Sequence, residues 1–171
     1  NISDDDAKNF IKIFSLKNKS ELDNLISHHN NEPHKRLLQN SLADEITERV
    51  HNKSSLQLAK VTTNLLFGKS KKEDFDNLSM DEIESLSNAV PCVKIKRKDL
   101  DDNLKNILTE RSDFKIFKSK SEISRLIKNN GLSINKVKIV SEEYSLLENL
   151  KFNKFILLQK GKKNYTFIIV E

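Results

Sequence analysis

The stretch SKSEISRLIKNNGLSINKVKI, residues 119–139, decides the fold of the second half of the chain. Ser119 with Glu122 three positions later predicts a capped helix start, because the two side chains can satisfy each other's free backbone N–H groups. Three apolar residues at helical spacing predict its buried face: Ile123, Leu126 and Ile127. After Gly131 the apolar and polar residues alternate as in strands, around a turn near residues 135–136. The stretch therefore predicts a small helix-turn-strand unit.

The face of this helix opposite its apolar residues is basic. At 100° per residue, four residues share that face: Lys118, Ser121, Arg125 and Lys128. More lysines stand at predicted turns: Lys136, Lys160, Lys162 and Lys163. A solvated surface explains most lysine runs, but residues 91–171 carry 18 Lys and Arg against 10 Asp and Glu, whereas residues 1–90 carry 12 against 15. This concentration of charge indicates an anionic partner, and nucleic acid fits it.

The rest of the chain predicts an α+β protein. Residues 1–90 have helical spacing, clearest at i, i+4 in Leu38, Leu42, Ile46 and Val50. Residues 154–171 predict a hairpin with its turn at Gly161. The stretch PCVKIKRKDLDD is charged and lacks a helical period, so it predicts a linker. We therefore expect three parts: a helical domain at 1–90, a linker at 91–103 and an α/β domain at 104–171.

Motifs for enzymatic chemistry are absent from these 171 residues. There is no GxxxxGK[ST], GxGxxG or GxSxG motif, so no catalytic site is predicted. His28, His29 and His34 lie in a polar turn, where adjacent histidines are usually solvated, and no metal site is predicted. Cys92 is the single cysteine and no activating base stands near it in sequence. No apolar run approaches the roughly 18 residues of a membrane span, so no membrane partner is expected.

Aromatic residues are scarce, with 9 Phe, 2 Tyr and no Trp. Proteins that bind single-stranded nucleic acid stack its bases on exposed rings. Tyr144, Tyr165 and the few phenylalanines offer little for this purpose. The pattern therefore favours shape-directed contact with a folded RNA.

Residues 32–68, EPHKRLLQNSLADEITERVHNKSSLQLAKVTTNLLFG, resemble the helical anticodon-binding domain of bacterial-type tyrosyl-tRNA synthetases. That family carries P-x-K-R-x-x-Q-x-x-L-A-x-E-x-T-x-x-V-H, which is matched here by Pro33, Lys35, Arg36, Gln39, Leu42, Ala43, Glu45, Thr47, Val50 and His51. Residues 119–139 resemble the RNA-binding fold shared with a small-subunit ribosomal protein, here called S-four-like. LLQKGKKNYTFIIV resembles the closing hairpin of the family. The resemblance spans nearly the whole chain, with its parts in the family's order.

The resemblance implies a helical domain followed by a small S-four-like α/β RNA-binding domain. It also implies that these residues hold tRNA-Tyr, by its anticodon stem-loop and variable arm. The family's upstream domain, with ATP-handling signatures of the HIGH and KMSKS type, is not in this sequence. We therefore expect a piece of a longer tyrosine–tRNA ligase, which uses ATP and magnesium and dimerises through that upstream domain. No cofactor is expected in these residues themselves.

The residues expected to contact RNA combine the basic face with the resemblance. They are Lys118, Ser119, Lys120, Ser121, Arg125, Lys128, Asn135, Lys136, Lys160, Lys162 and Lys163. On the anticodon side the resemblance points to Asp4 and Asp6, whose carboxylates can accept hydrogen bonds from a base. Helix capping is the competing role for both aspartates.

Departures from the family pattern leave several alternatives open. Asn135-Lys136 replaces the usual Asn-Gly, and residues 94–103, KIKRKDLDDN, look like an insertion. Both suggest a divergent, mitochondrial member, and hence the mitochondrial matrix, with the bacterial cytoplasm as the alternative. Some relatives in fungal mitochondria also help group I introns fold, so intron RNA is an alternative partner. A basic protein-binding adaptor and a self-contained nuclease are rival functions.

Overall fold

The computed structural model describes residues 2–68 and 70–171, and the chain forms two compact units, Asn1–Lys60 and Val61–Glu171. The described part of the first unit is helical. The second unit combines helices with a five-stranded sheet. The predicted α+β class is confirmed, with a helical N-terminal region before a small α/β region.

The first unit contains three helices and the start of a fourth: α1 (Asp4–Phe14), α2 (Lys19–Asn31), α3 (Leu37–Val50) and α4 (Lys53–Phe67). Its core is a cluster of small and medium apolar side chains: Ala7, Ile11, Leu38 and Leu42. Of the four apolar residues that predicted α3, Leu38 and Leu42 are buried, whereas Ile46 and Val50 are exposed. The spacing thus identified the helix but only half of its buried stripe.

The second unit begins within α4 and continues through nine elements. They are α5 (Lys72–Asp76), α6 (Met80–Ala89), β1 (Cys92–Ile95), α7 (Leu104–Leu108), α8 (Lys120–Lys128), β2 (Leu132–Ile134), β3 (Val137–Lys138), β4 (Phe155–Lys160) and β5 (Asn164–Val170). The sheet has the order β1-β5-β4-β2-β3. β1 runs parallel to β5, and the other neighbours are antiparallel.

The sheet is covered by helices on both faces. On one face Ile156 and Leu158 of β4 belong to a cluster with Ile123 and Ile127 of α8. On the other face alternate residues of β4 and β5 belong to a cluster with the end of α4, with α5 and with α6: Leu65, Leu66, Phe75, Ile83, Leu86, Phe155, Leu157, Tyr165 and Phe167. Because side chains alternate along a strand, β4 is buried on both sides.

Helix α8 has the predicted start and a more specific end. Ser119 caps it by accepting a hydrogen bond from the backbone N–H of Glu122 at 3.3 Å. At its end Asn130 takes the left-handed backbone, with φ 51°, and the N–H of Gly131 donates to the carbonyl of Leu126 at 2.8 Å. This is the Schellman arrangement. A Cβ at Gly131 would lie 2.9 Å from Leu126 Cδ2, so a larger residue there requires the end of that side chain to move.

Residues 91–103 were expected to form a linker between two domains. In the structure they contain a strand, and the boundary between the compact units lies elsewhere. Cys92–Ile95 forms strand β1, with Val93 and Ile95 buried and Lys94 exposed. Polar and apolar residues alternate with a period of two in this segment, as in a strand. The segment is short and lies among charged residues, so the alternation is hard to recognise from sequence. The compact units divide at Lys60 and Val61 instead.

Asn135 occupies the turn between β2 and β3, and its side chain is used inside the protein. Its backbone is left-handed, with φ 48°, and the residue is buried. Its Nδ2 donates to the carbonyl of Asn149 at 2.6 Å, and its Oδ1 accepts from the N–H of Leu157 at 2.9 Å. The amide thereby ties the turn to β4 and to the loop before it.

We expect Asn135→Ala to lower the free energy of unfolding by about 1–3 kcal/mol, because it leaves the buried N–H of Leu157 without a partner and removes a donor from the half-buried carbonyl of Asn149. Urea denaturation measures this change. Asn153→Ala is the matched control, since Asn153 has a similar φ of 55° but is exposed. A difference between the two variants below about 0.5 kcal/mol would contradict the role assigned to the Asn135 amide.

We expect residues 92–95 to be protected from hydrogen exchange at about half of their amides, because β1 has one neighbouring strand only. Peptide-resolved hydrogen–deuterium exchange measures this protection, with the irregular segment 140–143 as the unprotected reference. Exchange of residues 92–95 as fast as that of the reference would support a linker at this place.

Candidate nucleic-acid interface

The basic face predicted on α8 is exposed. Lys118, Arg125 and Lys128 all face solvent, opposite the buried Ile123 and Ile127. Within residues 2–68 and 70–171, no carboxylate oxygen lies within 4.0 Å of the side-chain nitrogens of these three residues. Within these ranges the three cations therefore have no carboxylate in contact, although Arg125 also helps to lower the pKa of Glu122 by Coulomb attraction.

The turn of the β4–β5 hairpin lies beside the end of α8. Gly161 has φ 68° and donates its N–H to the carbonyl of Gly131 at 2.7 Å. Lys162 and Lys163 follow directly, and Lys128 precedes Gly131 by three residues. The structure thus brings the hairpin lysines and the helix cations into one region of the surface.

Two other predicted lysines are paired with carboxylates of the second unit. Lys120 Nζ lies 2.6 Å from Glu110 Oε1. Lys160 Nζ lies 2.5 Å from Glu122 Oε1 and 4.6 Å from the centroid of the Phe117 ring. The hydrogen bond from Lys160 lowers the pKa of Glu122 below its ordinary value of 4.5. Sequence spacing gave no sign of either pair, because the partners lie on different elements, ten residues apart for Lys120 and 38 for Lys160.

The predicted pair Asn135 and Lys136 lies apart from this region. Lys136 Nζ donates to the hydroxyl of Tyr165 at 3.0 Å and lies 4.7 Å from its ring centroid. Tyr165 belongs to the cluster on the sheet face opposite α8. Partial burial lowers the pKa of Lys136. Lys136 therefore packs against the protein, and its role as an RNA contact stays a prediction, as does that of Asn135.

The two serines at the start of α8 form hydrogen bonds within the first turn of the helix. Ser119 accepts from the N–H of Glu122, and its Oγ lies 3.1 Å from Ser121 Oγ. Both residues are exposed. Their hydroxyls still have hydrogen-bonding capacity for a phosphate oxygen.

The two aspartates expected on the anticodon side have different surroundings in the first unit. Asp6 Oδ2 accepts from Ser3 Oγ at 2.7 Å, and Ser3 in turn caps the N–H of Asp6, so capping describes its geometry. Asp4 Oδ1 accepts from Gln39 Nε2 at 2.6 Å and lies 3.4 Å from His29 Nε2, which is buried. Asp4 thus links three helices while its carboxylate remains half exposed.

Groups for metal binding or nucleophilic chemistry do not converge in the described residues. The described residues contain no group of three or more His, Cys, Asp or Glu side chains placed to hold a metal ion. Cys92 Sγ donates to the carbonyl of Ser87 at 2.7 Å, and burial raises the pKa of the thiol. Nor does any described helix combine the length and apolar character of a membrane span.

Comparison with known proteins gives one consistent family. The family model described as the tyrosine–tRNA ligase SYY-like C-terminal domain matches residues 82–168. A tyrosine–tRNA ligase of Cytophaga hutchinsonii is 38% identical over 167 residues, covering 96% of this chain and 39% of the relative. Those of Flavobacterium psychrophilum and Bacteroides fragilis are 38% and 36% identical, each covering 100% of this chain and 40% of the relative.

The chain spans about two fifths of the length of these relatives. The matched region contains α8 and most of the hairpin, and thus the basic face described above. The family model covers slightly more than half of the chain, and the chain belongs to the family of tyrosine–tRNA ligase SYY-like C-terminal domains.

Proposed function

We propose that these residues are the tRNA-binding portion of a tyrosine–tRNA ligase and hold tRNA-Tyr while the remainder of the enzyme attaches tyrosine. The observation that carries the proposal is a group of cations on α8 and in the adjacent hairpin turn that have no carboxylate oxygen within 4.0 Å in the described part of the chain. It consists of Lys118, Arg125, Lys128, Lys162 and Lys163. This group lies in the unit that contains the family match.

Contacts from such a group go to phosphate oxygens. Lysine and arginine side chains on an exposed helix position an RNA backbone and carry little base specificity. They act by releasing counterions, so the affinity depends steeply on salt. By resemblance the RNA element is the variable arm, whose duplex presents phosphates across a broad surface.

Lys120 and Lys160 take part differently, because each has a carboxylate partner. A phosphate approaching α8 offers each lysine a second anion, and the lysine then exchanges one ion pair for another. Exposed pairs of this kind contribute only about 0–1 kcal/mol, so the exchange costs little. Ser119 and Ser121 add neutral hydrogen bonds at the same end of the helix.

The first unit meets the anticodon stem-loop in this proposal. Asp4 and Asp6 are both candidates for a base contact, because each is exposed while its carboxylate accepts one side-chain hydrogen bond, from Gln39 and from Ser3 respectively. A carboxylate accepts from the amino and imino groups of bases. The support here is the resemblance of residues 32–68 together with the geometry of Asp4 and Asp6.

The wider setting is proposed from the family alone. The parent enzyme uses ATP and magnesium and forms a homodimer through its catalytic part, outside these residues. The relatives named above are bacterial and support a bacterial-type ligase, while the mitochondrial matrix stays a prediction from the divergent residues 94–103. Group I intron RNA presents the same phosphate chemistry and stays the alternative partner.

We expect Arg125→Ala with Lys128→Ala to weaken tRNA-Tyr binding and to reduce the log–log salt slope by about 1.4–1.8, since each lost phosphate contact contributes about 0.7–0.9. Affinity measured at several salt concentrations gives both quantities. The fold should persist, because exposed substitutions usually change stability by about 0.5 kcal/mol or less.

The matched control for this pair is Lys72→Ala with Lys138→Ala, which removes the same charge from exposed positions elsewhere in the second unit. Circular dichroism checks folding of all variants. An equal loss in both double variants would show a general charge effect, and an unchanged slope in the α8 variant would remove this face from the interface.

We expect Glu122→Gln to raise tRNA-Tyr affinity by about 1.5- to 5-fold, because Lys160 loses its competing carboxylate. The same variant should be less stable by about 0.2–1 kcal/mol at pH 7. The folded pKa of Glu122 is depressed, so its contribution is present above 4.5 and is lost as the pH falls through the folded pKa. Denaturation curves of the two proteins should therefore converge in acid, and a constant difference at all pH values would contradict the pairing.

A further inference from the structure

The end of the sheet away from Gly161 gathers cations from two segments of the chain. β1 and β5 both end there and β4 begins there, because Ile95 pairs with Val170 and Phe155 with Ile169. Five basic residues directly follow β1 or directly precede β4: Lys96, Arg97, Lys98, Lys151 and Lys154. We call this group the strand-end cluster.

Hydrogen bonds hold the two segments together. Arg97 Nη1 donates to the carbonyl of Asn153 at 3.2 Å, and the backbone N–H of Arg97 donates to the carbonyl of Glu171 at 2.8 Å. The N–H of Val170 donates to the carbonyl of Lys154 at 2.8 Å. The strand-end cluster is therefore arranged by the backbone of the sheet before any ligand binds.

The charge of the strand-end cluster is not compensated within the protein. Across the described ranges, no carboxylate oxygen lies within 4.0 Å of a side-chain nitrogen of its five members. The nearby carboxylates have other partners, since Glu171 lies 2.5 Å from Lys94 and Asp99 lies 4.0 Å from Arg111. This end of the sheet is thus a second positive surface.

An exposed aromatic ring stands in the middle of the strand-end cluster. Phe152 and Asn153 have φ values of 50° and 55° in a two-residue turn, which is closed by the N–H of Lys154 and the carbonyl of Lys151 at 3.1 Å. Such turns favour Asn and Gly, because a side chain with a Cβ is disfavoured in the left-handed region. Phe152 is also 45% exposed, so neither backbone preference nor burial explains a phenylalanine there.

We propose that the strand-end cluster is a second RNA contact, at which the Phe152 ring stacks on an unpaired base while the five cations bind the flanking phosphates. The inference rests on the proposed function only in taking RNA as the partner. Stacking on an exposed ring is tolerant of base identity, and cations along the strand supply the electrostatic part. Lys151 Nζ lies 4.6 Å from the Phe152 centroid and also donates to the carbonyl of Asp76, which holds this cation beside the ring.

The chemistry favours RNA over an acidic protein. The carboxylates of an acidic peptide pair with cations but do not stack on an exposed aromatic ring. A nucleotide chain offers both phosphates for the cations and planar bases for the ring. The two basic regions are separated by the length of β4, about 17 Å for six residues. At that separation substitutions in the two regions should have additive effects on binding free energy.

The test uses the 171-residue chain and a labelled oligoadenylate of about 12 nucleotides, which is within the range bound by single-strand modules. Phe152→Asn removes the ring and places a residue that tolerates the left-handed backbone at this position. The variant should bind oligoadenylate about 5- to 100-fold more weakly. Phe152→Tyr keeps a ring and should bind within about twofold of the unsubstituted chain. Phe114→Asn is the matched control, because Phe114 is also 45% exposed at φ 54° but has a paired neighbour, with Lys115 Nζ 3.5 Å from Asp113.

A second arm tests the charges with Lys96→Ala and Lys98→Ala together, which should reduce the salt slope for oligoadenylate by about 1.4. Equal affinity of Phe152→Asn and the unsubstituted chain, with thermal melting showing both folded, would overturn the proposal. Equal losses in Phe152→Asn and Phe114→Asn would overturn it too, as would binding of polyglutamate as tight as that of oligoadenylate.

The two proposals fail separately in this design. If Arg125→Ala with Lys128→Ala weakens tRNA-Tyr binding while Phe152→Asn leaves oligoadenylate binding unchanged, the proposed function stands and the strand-end contact falls. If Phe152→Asn weakens oligoadenylate binding while the α8 variant leaves tRNA-Tyr binding unchanged, the strand-end contact stands and the α8 interface falls.

Discussion

Burial of β4 on both faces is the constraint on which the second unit depends. Ile156 and Leu158 pack under α8, and Phe155 and Leu157 pack under the helices of the other layer. A strand buried on both sides requires cover on both sides, so the helices before and after β1 are both needed to complete the fold. Apolar burial of this kind, at about 25 cal/mol per Å², is the main favourable term available to a chain that is otherwise so polar.

The same constraint sets where charge can appear. A doubly covered sheet leaves its two ends, its edge strands and the outer faces of its helices to water, and the cations lie at those places, as Lys94 does on β1 and Lys138 on β3. Some are neutralised by carboxylates from elsewhere in the unit, as Lys160 is by Glu122 and Lys120 by Glu110. Among the described residues, several cations beside turns and helix ends have no carboxylate in contact, and these can bind an anion.

Sequence reasoning was most successful where the signal is local. The cap at Ser119, the buried Ile123 and Ile127, and the hairpin turn at Gly161 all follow from spacing and residue type within a dozen positions. It was least successful where the cause is distant. β1 pairs with β5 across more than 70 residues, so nothing near Cys92–Ile95 marks it as a strand except two buried side chains. The ion pair of Lys160 with Glu122, 38 residues away, was hidden for the same reason.

Polar residues in turns were the hardest to assign from sequence. Asn135 and Lys136 were expected to contact RNA, and that role stays a prediction; in the structure the amide of Asn135 is buried against Leu157 and Asn149, and Lys136 lies on Tyr165. Phe152 shows the opposite case, a large apolar residue in a turn that leaves it exposed. Residue type alone predicts the reverse for both. In each turn, the packing of the two strands that it joins decides which side chains are buried and which stay exposed to a binding partner. The chemistry of the turn side chains does not decide this.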